Sequence, residues 1–262
     1  MIGNAPHSVI TDVPGWETSA EQHYLVELAK TVPKDGLIVE LGAEFGQSAS
    51  LWSYGVQSLP HGPTIKIVSI DTFQGDMLTA HRLNLAECGF KDRTDQIVSD
   101  SKLAGESWGS PIDLLFIDAD HSYAGCKSDI DLFTPHVKVG GLVVFHDVAQ
   151  VSNLMPHHLH FEVTRALSEW QQAQGGDWEP LKPVDTIAVF RRVKPAHYPV
   201  DSRTTHLDVI GSTIADQGVQ DIRSDETDTP PDESHAPEID AADEVQSEPT
   251  PRKKGRSKGG AL

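Results

Sequence analysis

The sequence predicts an α/β protein built on a doubly wound, mostly parallel seven-stranded sheet that closes in a C-terminal antiparallel hairpin. Short continuous apolar runs, GLIVEL at 36–41, IDLLFI at 112–117 and GLVVF at 141–145, read as strands buried on both faces. Stretches of helical character separate them, and that alternation implies parallel strands covered by helices on both sides. The stretch WEPLKPVDTIAVFRRV at 178–193 instead reads as two strands folded back on each other.

In chain order, ETSAEQHYLVELAKTV begins with a capping box, Thr18 with Glu21, places Leu25, Leu28 and Val32 at helical spacing, and stops at Pro33. GLIVEL is the first strand and TIKIVSID the second; MLTAHRLNLAECG follows as a helix ending at Gly89. DQIVSD is a short third strand, IDLLFIDAD the fourth, YAGCKSDIDLFTPHV a helix and GGLVVFHDV the fifth strand. After a histidine-bearing loop, FEVTRALSEWQQA reads as the last helix before the hairpin. The expected organisation is an N-terminal helical segment at 1–35, a ligand-binding domain at 36–195 and an acidic tail at 201–262.

The tail has no Phe, Trp or Tyr and carries fourteen acidic residues against seven basic ones, a composition that cannot offset the entropy of ordering and predicts disorder. Its basic end, PRKKGRSKGG, reads as a solvated polar terminus, and the tail's partner stays unknown. Residues 1–200 are acidic in their own right, with 25 acidic and 14 basic residues, which argues against a nucleic-acid groove. Cys88 and Cys126 have no paired spacing and suggest reduced thiols in a cytoplasmic setting. No apolar segment approaches the roughly 20 residues that cross a bilayer, and the N-terminus lacks the order of a secretory signal.

In an open parallel sheet the ligand sits outside the carboxyl ends of the strands. Those ends carry Glu40 to Gly46, Asp71, Asp100, the group Asp118, Asp120 and His121, and the pair His146 and Asp147. Acids at every end suit a ligand with hydroxyls and positive charge better than a pyrophosphate, which calls for amides and cations. Asp71 after the second strand is placed to accept the hydroxyls of a ribose. The alternative at each position is an ordinary turn or a helix cap.

IVELGAEFGQSAS, IVSIDTF, DLLFIDADHSY and VKVGGLVVFHDV, in that order, resemble the motifs of the class I S-adenosylmethionine-dependent methyltransferases. Within them the chain is similar to the catechol and caffeoyl-CoA O-methyltransferases and to a branch with macrolide-sugar methyltransferases and cephalosporin-biosynthesis proteins. The resemblance covers roughly residues 15–193. It implies the methyltransferase form of the Rossmann-like fold and a cytoplasmic enzyme that binds S-adenosylmethionine and methylates an oxygen on a small-molecule acceptor, a sugar or phenolic hydroxyl. No nucleic-acid or membrane partner is expected, and a homo-oligomer stays open.

Position by position, the resemblance assigns Glu40, Gly42, Gly46 and Ser48 to the methionine end of the cofactor, Asp71 to its ribose, and Asp100 and Ser101 to the surroundings of the adenine. Asp118 falls beside the reactive centre, with both a cofactor-binding and a catalytic role. His121 takes the position of a lysine general base, where an imidazole suits proton removal near neutrality. In metal-dependent relatives two acids and an Asn hold Mg²⁺; Asp118 and Asp147 match the acids, whereas Val148 takes the Asn position, with His146 or Asp120 as the candidates to replace it. His157, His158 and His160 read as a polar loop over the acceptor rather than a zinc site, and Trp108 and Trp170 as core anchors. Two alternatives stand beside methyl transfer: another reaction on the same cofactor fold, and a partner-binding protein that retains the fold.

Overall fold

The computed structural model describes residues 10, 12–148, 158–174 and 176–195. Helix α1, Ser19–Ala29, starts at the capping box read from the sequence: Thr18 accepts from the Glu21 amide and donates its own amide to the Glu21 carboxylate. The order that follows is β1 Leu37–Leu41, α2 Gln47–Gln57, β2 Lys66–Asp71, α3 Met77–Glu87, β3 Asp95–Val98, α4 Ser101–Glu106, β4 Ile112–Ile117, α5 Tyr123–Phe133, β5 Val137–Phe145, α6 His158–Ala173, β6 Trp178–Pro180 and β7 Ala188–Arg192.

The seven strands form one sheet in the order β3-β2-β1-β4-β5-β7-β6. The first five run parallel, while β7 is antiparallel to both β5 and β6. The strand order reverses between β1 and β4, which opens the crevice expected at a topological switch point. The doubly wound α/β sheet with a closing hairpin is therefore the fold that the alternation of runs predicts. The short helix α4 was not anticipated; its six residues are too few to show a period, and Asp100 caps it by accepting from the Lys102 and Leu103 amides.

Two apolar layers cover the sheet. One joins Leu37, Val39 and Leu41 of β1 to residues of α4, α5 and α6; the other joins Ile38 to α1, α2 and Leu85 of α3. Side chains alternate between faces along a strand, so Glu40 shares the face of Ile38 and points under α2. Trp108 and Trp170, each 6% exposed, are core residues as the sequence suggests. Trp52 of α2 packs edge-on against Phe116 of β4 with ring centroids 5.4 Å apart. Arg192, 5% exposed, donates to the carbonyls of Thr134, Pro135 and Val137 and ties the hairpin to the start of β5. No helix among the described residues is long and apolar enough to cross a membrane.

The acidic tail at 201–262 and His157 lie outside the described residues, as do the side chains of His158 and His160.

Two outcomes follow from this packing. Phe116→Ala removes a ring that is 0% exposed, and an equilibrium urea titration should show a loss of about 3–5 kcal/mol. Asp129 of α5 is 1% exposed and faces Ser101, and burial pushes its carboxyl up to about 7. An acid whose folded pKa lies above its unfolded value costs stability as pH rises between the two, here from about 4 to about 7. Asp129→Asn should therefore raise the melting temperature relative to the native chain, by a margin that grows from pH 5 to pH 8 in parallel thermal scans.

Candidate active site

The crevice is built first by backbone. Gly42, at φ 83°, leaves β1 so close to the end of β4 that a Cβ there would stand 2.2 Å from the Asp118 carbonyl oxygen. Only glycine fits that approach. Gly46, at φ 90°, then caps α2 above His81. Asp71 braces the turn between them: its Oδ2 accepts from the amides of Ala43 at 2.9 Å and Glu44 at 3.0 Å, and its Oδ1 from Phe73 at 2.7 Å.

A cavity of about 610 Å³ opens above this turn. Its walls are the β1–α2 turn, the ends of β4 and β5, and the segment that leads into α1. Gly42 and Ser48 lie on the wall, whereas Glu40, Gly46, Asp71, Asp100 and Ser101 do not. The carboxylate of Glu40 is fully buried and accepts from Ser48 Oγ at 2.8 Å, Trp52 Nε1 at 3.0 Å and Ser69 Oγ at 2.5 Å. Burial pushes it up to about 7 in spite of these donors. Strand alternation turns Glu40 away from the crevice, so it supports the loop from below. Asp100 caps α4 and Ser101 faces Asp129, each serving the start of that short helix.

One end of the cavity is a cluster of acids and imidazoles. His121 Nε2 lies 3.2 Å from Asp118 Oδ1 and 3.4 Å from Asp147 Oδ2. His146, 2% exposed, sets Nδ1 3.0 Å from the same Asp118 oxygen and Nε2 3.5 Å from Glu21 Oε2. Burial alone would raise the Asp118 carboxyl, but the charge of His146 and the hydrogen bonds from His121 and His146 hold it down at about 2. The bond to Asp118 raises the His121 imidazole above 6.5 against the effect of burial. Burial disfavours charge on His146 too, and Asp118 reverses this, leaving it well above 6.5. Glu21, which burial would raise, is brought to about 2 by the His146 imidazole 3.5 Å away and by bonds from Thr186 and Thr18. At Glu17 burial, with the charge of Asp118, outweighs the charge of His146 and a bond from its own backbone amide and pushes it up to about 7.

The structure brings Asp118, His121 and Asp147 together, and of the two candidates for the Asn position it brings His146, and not Asp120, to Asp118. Val148, 3% exposed, belongs to the core and donates its amide to the Thr186 carbonyl, so it is His146 that faces Asp118 beside Asp147. Asp120 accepts from the amide and hydroxyl of Ser122 and serves a local turn. Trp16, Glu17, Glu21 and Gln47 on the cavity wall were not foreseen. The capping box explained Glu21 completely at the level of sequence, which hid its second contact.

The residues present fit both groups that the resemblance implies. Asp118, His121 and Asp147 each offer a ligand atom, all within 4.8 Å of one another, which suits one divalent cation. For a cofactor with a sulfonium and an ammonium, the wall offers carboxylates.

Residues 39–148 match a family model described as a methyltransferase domain. Among solved structures, cofactor-bound Rv0187 from MTB is 20% identical, with 71% of this chain and 87% of that one covered at a TM-score of 0.53. The methyltransferase PaMTH1 of Podospora anserina, bound to S-adenosylhomocysteine, is 18% identical over 72% of this chain and 86% of its own, with a TM-score of 0.52. CalS11, a TDP-rhamnose 3'-O-methyltransferase of calicheamicin biosynthesis, is 18% identical over 65% and 76%, with a TM-score of 0.50. At these identities the solved structures speak to the fold, and the family model to the domain that it carries. Residues 39–148 are thus similar to a methyltransferase domain, and the chain shares the fold of these solved methyltransferases, with its crevice at the β1–β4 switch point.

Proposed function

We propose that the enzyme transfers the methyl group to a hydroxyl oxygen of a small molecule, a sugar or a phenol, and that His121 takes the hydroxyl proton. The observation that carries this reading is the position of His121 Nε2 between Asp118 Oδ1 and Asp147 Oδ2. With Nε2–H donated to those carboxylates, Nδ1 keeps the lone pair and becomes the nitrogen that accepts a proton. The two carboxylates then stabilise the imidazolium as it forms, and His146 keeps Asp118 ionised for that task.

S-adenosylmethionine supplies a methyl already activated by a sulfonium. The chain's own contribution is to align the acceptor behind that methyl and to remove a proton, with no covalent enzyme intermediate. Gly42 and the turn braced by Asp71 form the cofactor side of the cavity, and the His121 cluster forms the acceptor side. Asp118 and Asp147 would hold Mg²⁺ as two hard oxygen ligands, and a cation bound there would favour the alkoxide form of the acceptor. The fold shared with CalS11, a 3'-O-methyltransferase, supports oxygen as the methylated atom.

Calorimetric titration of S-adenosylmethionine and S-adenosylhomocysteine into the full chain should give micromolar binding. Asp71→Ala should weaken it at least about tenfold, because the Ala43 and Glu44 amides lose their brace. His121→Asn should bind S-adenosylhomocysteine as the native chain does. In a screen of sugars and phenols read out by S-adenosylhomocysteine release, the same variant should lose about 10²–10⁴-fold in turnover. Turnover that survives His121→Asn but stops in EDTA and returns with Mg²⁺ would assign activation of the hydroxyl to the cation instead.

A further inference from the structure

We infer that the acceptor is free of phosphate and either uncharged or positively charged, so that acceptors carried on a nucleoside diphosphate or on coenzyme A are excluded. The inference rests on the reading of this cavity as the site of methyl transfer.

Proteins hold phosphates chiefly with arginine and lysine, supplemented by backbone amides. The described wall of the cavity has no lysine or arginine, and it carries Glu17, Glu21, Glu44, Asp118 and Asp147. The described stretches that carry most of the wall, 12–29, 35–65, 112–126 and 139–148, contain no lysine or arginine, and Lys182, the nearest in sequence to Thr186, is not among the lining residues. The histidines on the wall, His121 and His146, already face Asp118 and Asp147. A di- or triphosphate entering here would meet carboxylates and no cationic lysine or arginine of the described wall to offset its charge, in a partly desolvated cavity where such repulsion is screened least.

What the wall offers is complementary to a different ligand. Glu21 is occupied by Thr18 and Thr186, but Glu17 makes no ion pair with a cation among the described residues. Trp16, beside Glu44 on the wall, stands 82% exposed. An open indole beside two carboxylates suits an aromatic ring or an ammonium group. Gln47, 5% exposed, gives its Nε2 to the Val13 carbonyl and leaves Oε1 without a partner on the wall. That oxygen needs a donor. A hydroxyl or a protonated amine supplies one, whereas an ionised phosphate has only acceptors.

The test uses the full chain saturated with S-adenosylhomocysteine and four probes: coenzyme A, thymidine diphosphate, and the matched pair dopamine and 3,4-dihydroxyphenylacetate. The pair shares one catechol ring and differs in carrying an ammonium or a carboxylate. Calorimetry at low salt should show dopamine binding at least about tenfold more tightly than the acid. The preference should narrow at high salt and in Glu17→Gln, and neither phosphate carrier should bind at about 1 mM. The inference is overturned if the acid binds as well as the amine, if neither ring binds, or if coenzyme A or thymidine diphosphate binds. If S-adenosylhomocysteine itself fails to bind the folded chain, the reading of the cavity as a methyl-transfer site fails first, and the two failures stay separate.

Discussion

The close approach of the end of β1 to the end of β4 governs the rest of this site. The Asp118 amide donates to the Leu41 carbonyl at 3.0 Å, and the Gly42 amide donates to Ile70 at 2.9 Å, so both strand ends are fixed by sheet-like bonds to their neighbours. A side chain at Gly42 would collide with the Asp118 carbonyl. The glycine therefore sets the distance between the turn that faces the cofactor and the carboxylate at the centre of the acid–imidazole cluster. A shift of either strand by one residue would reverse the faces of its side chains and dissolve that arrangement.

The second constraint is electrostatic. Asp118 is a carboxylate in a largely water-excluded position, and an uncompensated charge there would neutralise itself rather than persist. Two imidazoles share one of its oxygens and keep it ionised. His146 is in turn held near Glu21, whose other oxygen accepts the amide and hydroxyl of Thr186. The start of α1, the end of β5 and the β6–β7 turn thus meet at one buried acid. Helix α1 belongs to the cavity wall through this contact as well as to the core through its apolar face.

Much of the fold was legible because strands buried on both faces leave continuous apolar runs, and because caps and breakers mark helix ends. Helix α4 was not, since six residues after an Asp look the same as a turn. The site was legible in part. Asp118, His121 and Asp147 follow strands, and the carboxyl ends of strands in such a sheet are known to face the ligand. At Glu40 a continuous apolar run hides the alternation of faces that turns its carboxylate under α2. The one-residue register at the end of β5, which sends Val148 to the core and His146 to the cluster, is set by pairing with β7, and no local signal in HDV carries it. Trp16 and Glu17 escaped because the segment before a helix has no period, and only the folded chain brings it over the strand ends.

The acids themselves show how structure separates roles that residue type cannot. Glu40, Asp71, Asp100, Asp113 and Asp120 accept from backbone amides, hydroxyls, an indole or a lysine of the chain itself. Oxygens saturated by fixed donors have little left to give a ligand, and these acids shape loops, caps and strand starts. Asp118 and Asp147 are matched instead with imidazoles, groups that can release or take up a proton, and Glu17 with no cation among the described residues. A carboxylate compensated by a titratable partner can exchange that partner's proton with a substrate. One compensated by an amide cannot, which is why the chemistry concentrates at the ends of β4 and β5 although every parallel strand ends near an acid.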